Sequence, residues 1–283
     1  MKKFALLGFP ISQSLSPVLF GAAYPSGTEG TYSLVEEKSF DTAYDIFIRE
    51  YDGVNVTSPF KMEAAVRADL TSREVSLCGA ANLLLKRDGG AERSGGLIEA
   101  FNTDFLAGRD ILLEAFPSTG GDFRADGPEN FGDDGPENFG AGRTAVVVGA
   151  GGAGKCAAAA LRECGFSVTM LNRTACKADA GLDVLPQVLE GCQVLIYTLP
   201  CPISELESLN LSLHSPKLII ESSYIHPSLG RMAAEAGIPY RGGLEWLLRQ
   251  AIHGYRIFTG KEPDAEKMKN ILTLREHSSL ESL

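Results

Sequence analysis

Residues 143–174, RTAVVVGAGGAGKCAAAALRECGFSVTMLNRT, decide how the rest of the chain is read. Ala145–Val148 is a short, mostly β-branched run, the length of one buried strand. Gly149, Ala150, Gly151, Gly152, Ala153 and Gly154 follow it directly. Lys155–Cys164 is rich in alanine and free of Pro and Gly, which predicts a helix. Gly165 stands where a helix C-terminal glycine belongs, and Phe166–Leu171 reads as a second strand. The stretch is one βαβ unit with G-x-G-x-x-G at its first turn.

Each glycine of that turn has a mechanical task. The first permits the tight turn, the second lets a pyrophosphate approach the backbone, and the third packs helix against strand. The helix N-terminus then offers free N–H groups and the positive end of its dipole to phosphates. An ordinary α/β domain can carry a glycine-rich loop without a ligand. The strand before and the helix after favour dinucleotide binding. A site for NAD usually has Asp or Glu at the end of the second strand, accepting from the ribose 2′-hydroxyl. This chain has Asn172, Arg173 and Thr174 there, with Lys177 nearby. Arg173 can pair with a 2′-phosphate and stack on adenine, and Thr174 can donate its hydroxyl. The expected cofactor is therefore NADP.

The 283 residues suggest two domains or one large one, and 44% hydrophobic content supports substantial cores. A net charge of −10, from 26 basic and 36 acidic side chains, argues against nucleic acid as the main partner. The six cysteines, at positions 78, 156, 164, 176, 192 and 201, form no C-x-x-C pair and read as free thiols of a cytoplasmic protein. No metal ligands are assigned. The opening MKKFALLGFPISQSLSP is interrupted by Gly8, Pro10, Ser12 and Gln13, too soon for a signal-peptide core. No segment reaches transmembrane length, so neither membrane nor nucleic acid is an expected partner. A small-molecule substrate is expected, on a monomer or homodimer.

In chain order, Lys2–Leu7 reads as a strand. Ser14 and Ser16 flank a predicted helix start, with Ser16 as cap and Pro17 in the first position, where an anion such as a carboxylate can be held. Thr31–Val35 is a strand and Phe40–Arg49 a helix. Gly53–Thr57 is a strand ended by Ser58 and Pro59, so Lys61 stands at a strand-to-helix junction. A lysine there is usually a solvated surface residue. Ala80–Leu85 reads as a strand holding the polar Asn82, and Leu97–Phe101 as another. Asn102, Thr103 and Asp104 then precede a helix, Phe105–Phe116, of which Asp104 could be merely the N-terminal acid. After the βαβ core, Val194–Leu199 and Leu218–Glu221 read as parallel strands. Ser228–Ala236 reads as a short helix and Ile238–Tyr240 as a short strand. Gly243 precedes a long amphipathic helix, Glu245–Phe258, and Glu262–Arg275 is a second; His277–Leu283 reads as frayed.

Residues 117–142 differ in character. DGPENFG occurs at 126–132 and again at 134–140, rich in Gly, Pro and acids. Such a tract lacks the apolar surface to order itself and reads as a loop insertion. The expected fold is α/β: an N-terminal α/β unit over residues 1–102, a Rossmann-type domain over 103–243, and C-terminal helices over 244–283 that return to the first unit. A cleft between two such domains is a common place for a small-molecule site.

Taken together, GFPISQSLSP, GVNVTSPFK, GAANLLL, FNTDFLAG, the GAGGAG–NRT unit, SYIHP and GLEWLLRQAIHGYRIFTG resemble, in this order, the shikimate dehydrogenase family. The likeness covers nearly the whole chain outside the insertion. It implies NADPH-dependent reduction of 3-dehydroshikimate to shikimate, on the route to chorismate and aromatic amino acids, with residues 1–102 as the substrate domain. It implies Lys61 and Asp104 as the catalytic pair and Ser14 and Ser16 as carboxylate ligands. Thr57, Asn82 and Gln250 would hold the ring hydroxyls, Tyr224 the carboxylate end, and the Gly243 backbone the nicotinamide. An ammonium beside a carboxylate suits this chemistry, because it can donate a proton to a developing alkoxide.

The chain departs from the family's habits at Phe20-Gly21, where His-Asn is usual, and at Leu83, where Thr is usual. Glu221 replaces the usual Asp, and Ile196-Tyr-Thr198-Leu-Pro200 replaces I-N-A-T-P. These departures bear on substrate preference and rate more than on reaction class. Two alternatives remain open at this point. One is a dehydrogenase for quinate or a related hydroxy-cyclohexane acid, which would more naturally pair with NAD. The other is a non-catalytic NADP-binding regulator on the same scaffold.

Overall fold

A computed structural model describes residues 1–24, 30–87, 96–116, 141–207, 209–214 and 216–280, with side chains to Leu274. All of the 117–142 insertion except Ala141 and Gly142 lies outside the described residues. The chain folds as two compact units, Met1–Ala107 with Leu244–Leu283, and Gly108–Gly243.

The first unit is built on a six-stranded mixed sheet. Its strands are β1 (Lys2–Gly8), β2 (Gly30–Glu36), β3 (Gly53–Val56), β4 (Leu70–Thr71), β5 (Leu83–Arg87) and β6 (Leu97–Phe101). Their spatial order is β2-β1-β3-β5-β6-β4. β2, β1 and β3 run parallel, and β5 is antiparallel to both β3 and β6. Both faces are buried at the sheet centre, along β3 and from Phe4 onward in β1, so these strands read as nearly continuous apolar runs. Ala5, Leu7, Val54, Val56 and Leu84 face one core with Phe40 and Phe47 of α2 (Phe40–Glu50). On the opposite face Phe4 stacks on Phe258, with ring centroids 4.5 Å apart. Phe258 belongs to α11 (Gly243–Thr259), which crosses the sheet closely: a side chain on Gly53 would meet the Phe258 ring. α1 (Ser16–Ala23) packs against α12 (Ala265–Leu280), and Asp264 N–H donates to the Ala23 carbonyl at 3.0 Å. α12 reaches Leu280, so the helix continues through most of the stretch read as frayed. Two short helices, α3 (Lys61–Arg67) and α4 (Arg73–Cys78), lie between β3 and β5, and α5 (Thr103–Ala115) follows β6. α4 and the two-residue β4 have no counterpart in the sequence reading.

The second unit holds a five-stranded, wholly parallel sheet. β7 (Thr144–Val148) is followed by α6 (Gly152–Glu163) and β8 (Ser167–Leu171). β9 (Val194–Tyr197), β10 (Leu218–Glu221) and β11 (Tyr240–Arg241) continue it, in the order β11-β10-β9-β7-β8. The short helices α7 (Leu185–Leu189), α8 (Ser204–Glu207), α9 (Leu211–His214) and α10 (Gly230–Glu235), each under two turns, connect these strands. The chain steps from β7 to β8 on one side and to β9 on the other. The strand order therefore reverses between β7 and β9, and in open α/β sheets ligands bind beyond the strand C-termini at such a point. No described helix is long and apolar enough to cross a membrane.

Candidate functional site

In the first unit, strand register gathers the predicted residues at one end of the sheet. Leu7 pairs with Val56, Asn55 with Leu83, and Leu83 with Phe101. The residues just beyond those pairs are Gly8, Thr57, Asn82 and Asn102. The turns after β1 and β3 also meet: Thr57 N–H donates to the Leu7 carbonyl at 2.9 Å and Phe9 N–H to the Ser58 carbonyl at 3.1 Å.

Lys61 is the first residue of α3 and Asp104 the second of α5, so each helix start aims one charge at the same place. Lys61 Nζ lies 2.6 Å from Asp104 Oδ2, with side chains 15% and 9% exposed. The other carboxylate oxygen, Oδ1, accepts from Trp246 Nε1 at 3.2 Å. Asn102 fixes the start of α5: its Oδ1 accepts from Phe105 N–H at 2.9 Å, and its Nδ2 donates to the Ala80 carbonyl at 2.7 Å. The sequence reading did not name this cap; an Asn immediately before a helical run is the signal that could have found it.

Asn82 does not lie inside a strand as expected; it is the residue before β5. Its backbone bridges two neighbours there, accepting from Val56 N–H at 2.8 Å and donating to the Phe101 carbonyl at 3.1 Å. Its side chain is committed to Thr103, a residue the sequence reading passed over. Asn82 Oδ1 accepts from Thr103 N–H at 2.7 Å, and Nδ2 donates to Thr103 Oγ1 at 2.9 Å. The Thr103 hydroxyl proton has two acceptors at 3.2 Å, Asn82 Oδ1 and Gln250 Oε1. Asn82, Thr103, Asp104, Trp246 and Gln250 thus form one connected set that reaches the Lys61 ammonium through Asp104.

Ser16 is not the cap of α1 but its first residue. Leu15 takes the cap position with helical backbone angles, no side chain caps, and Pro17 comes second. The serine pair is held otherwise: Ser14 Oγ accepts from Ser16 N–H at 3.3 Å and donates to Ser16 Oγ at 3.2 Å. Beneath it Tyr32 stacks on Phe20, centroids 4.2 Å apart, and donates to Asn55 Oδ1 at 2.8 Å. Burial pushes the Tyr32 hydroxyl far above its ordinary range, against the opposing effect of a hydrogen bond with Ser16. The hydroxyl is a neutral donor at any physiological pH.

In the second unit the glycine turn sits beyond β7. Gly149 has φ +111°, a left-handed conformation that disfavours any side chain. A side chain on Gly154 would sit on the Gly149 carbonyl oxygen, while one on Gly151 would meet nothing. The turn is therefore closed on its protein side and open at Gly151, where α6 begins without a side-chain cap. These features fit a pyrophosphate on the backbone N–H groups at the start of a long helix. Thr198, from the segment that departs from I-N-A-T-P, braces the turn by donating to the Val148 carbonyl at 3.0 Å. Arg173, Thr174 and Lys177 are exposed after β8, and Asn172 is half-buried with its Nδ2 donating to the Thr174 carbonyl at 3.3 Å.

Tyr224 lies on the loop after β10, and Gly243 opens α11 against that loop. A side chain on Gly243 would collide with the backbone of Ser223 and Tyr224. The loop is tied down by Glu221, wholly buried. Its Oε1 accepts from Ser228 N–H at 2.7 Å and Ser228 Oγ at 2.8 Å; its Oε2 accepts from Leu229 N–H at 3.1 Å and the Tyr240 hydroxyl at 2.8 Å. Every oxygen of this buried charge is paired, as a buried carboxylate requires.

The model of the shikimate dehydrogenase substrate binding domain matches residues 6–84. The shikimate dehydrogenase (NADP(+)) of Haloarcula marismortui is 30% identical over 299 residues, spanning 98% of this chain and 100% of the relative. The chain belongs to the shikimate dehydrogenase family. Among solved structures of the family, that of the Thermus thermophilus shikimate 5-dehydrogenase in complex with NADP(H) and shikimate superposes with a TM-score of 0.69. It is 28% identical, with 95% of this chain and 98% of that chain covered. A quinate dehydrogenase from Corynebacterium glutamicum in complex with NAD shares the fold, with a TM-score of 0.74 at 18% identity, over 96% of this chain and 98% of that chain.

Proposed function

We propose that this protein is an NADP-dependent shikimate dehydrogenase. It reduces 3-dehydroshikimate to shikimate in the cytoplasm, on the route to chorismate and the aromatic amino acids. The observation that carries the reading is the Lys61–Asp104 pair at 2.6 Å in a family member, at the sheet end where Thr57 and Asn82 also lie. The first unit is the substrate domain and the second the nucleotide domain.

In this reading Ser14, Ser16 and Tyr224 hold the substrate carboxylate, and Thr57, Asn82 and Gln250 its ring hydroxyls. The Gly149–Gly154 turn holds the pyrophosphate, Asn172, Arg173 and Thr174 the 2′-phosphate end, and Gly243 the nicotinamide side. NADPH, when bound, supplies the hydride. As negative charge grows on the substrate carbonyl oxygen, the Lys61 ammonium stabilises it and gives up a proton. Asp104 holds that ammonium in place and balances its charge. In the direction of shikimate oxidation Lys61 takes the proton back. The exposed basic end of β8, in place of an acid, favours NADP over NAD.

The test is absorbance at the nicotinamide band with shikimate and NADP, repeated with quinate and with NAD. Lys61→Ala should lower kcat by about 10²–10⁴-fold, as loss of a general acid does, with shikimate binding largely kept. Asp104→Asn should also be slow, and the double variant little worse than the slower single one, because the pair acts as a unit. Normal kcat with raised KM in Lys61→Ala would reduce Lys61 to a binding contact. Turnover of quinate alone, or none at all, would replace the reading with one of its rivals.

A further inference from the structure

We infer that Trp246 is a positioning residue for the Lys61–Asp104 pair: its indole N–H holds the carboxylate oxygen that Lys61 does not use. The inference rests on the proposed catalytic roles of that pair.

Three elements meet at Asp104. Oδ2 faces Lys61 Nζ at 2.6 Å from α3, and Oδ1 receives Trp246 Nε1 at 3.2 Å from α11. A carboxylate bonded through one oxygen still swings about its Cβ–Cγ bond. A second donor on the other oxygen fixes its plane, and with it the direction from which the ammonium is held. Trp246 and Gln250 are four residues apart on α11, hence on one face of it. Gln250 Oε1 lies 3.2 Å from Thr103 Oγ1. Two side chains one turn apart on α11 thus contact two consecutive residues at the start of α5. The tryptophan is 3% exposed and Asp104 6%, so the bond between them lies out of water. A neutral donor suits the position: a second cation would compete with Lys61 for the carboxylate, and an apolar residue would leave Oδ1 unheld.

A buried indole N–H needs some acceptor in any case, so the bond could serve packing alone. Trp246→Phe separates the two roles, since it keeps an aromatic ring and removes only the donor. As a positioning residue, Trp246 makes its loss felt in turnover: kcat falls about 10- to 100-fold, the range for one lost hydrogen bond to a charged group, with the KM for shikimate nearly unchanged. Adding Trp246→Phe to Lys61→Ala costs little more, because there is then no ammonium to aim. The chain has a single tryptophan, so whole-protein emission reports this ring. Asp104→Leu removes the acceptor and shifts that emission in the folded protein, which tests the bond even if Trp246→Phe folds poorly. Full kcat in Trp246→Phe, where the wild type is active and Lys61→Ala is slow, overturns this inference and leaves the catalytic reading standing. Unchanged emission in Asp104→Leu does the same. A wild type that does not oxidise shikimate overturns the catalytic reading and this inference with it.

Discussion

Replacing Glu221 by Gln tests how the second unit holds the loop that carries Tyr224. The side chain keeps its shape and loses one acceptor. Glu221 receives four hydrogen bonds, two from hydroxyls and two from the backbone N–H groups of Ser228 and Leu229. The hydroxyls of Ser228 and Tyr240 can turn and accept from a Gln amide; a backbone N–H cannot. Each carboxylate oxygen serves one hydroxyl and one N–H, so either orientation of the amide leaves one buried N–H facing an NH₂ group. An orphaned buried donor costs about 1–3 kcal/mol. The bonds that remain change from charge-assisted to neutral, which removes about half their strength. Relief from burying a charge offsets part of this. The expected loss is about 2–3 kcal/mol, read as a lower urea midpoint with unchanged slope. In steady-state kinetics the same variant should raise the KM for shikimate more than it lowers kcat, because the disturbed loop bears Tyr224 and not the Lys61–Asp104 pair. A loss below about 0.5 kcal/mol, typical of a surface substitution, would refute the reasoning.

Four further outcomes are expected. Arg173→Ala should weaken NADP about 10- to 100-fold while leaving NAD nearly unchanged, since one or more charge-assisted bonds to the 2′-phosphate are lost; equal losses in fluorescence titrations of both cofactors would contradict this. Gly154→Ala should abolish cofactor binding measured by calorimetry, because the new methyl group would occupy the Gly149 carbonyl; wild-type affinity would show that the turn can give way. Iodoacetamide should label exposed Cys176 and Cys201 in the native protein and spare Cys164 and Cys192, whose thiols burial pushes up to about 12 and about 11. The unfolded chain releases those two protons first, so stability is full below the ordinary thiol range and falls as pH rises toward 11; a urea midpoint that rises between pH 8 and pH 10 would reverse the sign.

The readable parts of this protein are those set by neighbours in sequence. The βαβ unit was legible because β7, the glycine turn and α6 are contiguous, and two of its glycines answer local demands, the φ of +111° at Gly149 and the close approach of Gly154 to the Gly149 carbonyl. The parallel strands β9 and β10 were legible as apolar runs. Local cues failed where backbone angles or partners decide. Ser16 has the composition of a cap, yet Leu15 takes the cap position, and the Ser14 hydroxyl meets the Ser16 N–H instead. Asn82 follows two alanines in an apolar run, yet it precedes the strand, because its carbonyl is needed by Val56 and its N–H by Phe101.

The site itself depends on register. Lys61 and Asp104 are 43 residues apart and become neighbours only because β5 returns antiparallel between β3 and β6. That pairing brings the end of β3, which leads to Lys61, level with the end of β6, which leads to Asp104. A shift of one residue in either ladder would break the Asn82 backbone bonds to Val56 and Phe101, so the bonds that hold the two strand ends level also fix the distance between the two charges. Trp246 and Gln250 enter from 142 and 147 residues away, on a helix whose amphipathic stripe gives no hint of which residues it will meet. What places them is the close crossing of α11 over Gly53, where any side chain would strike Phe258. Gly53→Val would therefore act at a distance. It should lift α11 from the sheet, lower stability, and weaken the Trp246 and Gln250 contacts with α5 without touching either. Shikimate turnover in that variant should fall in step with the emission shift of Trp246. Normal turnover in a protein of lowered stability would show that α11 keeps its register by other contacts.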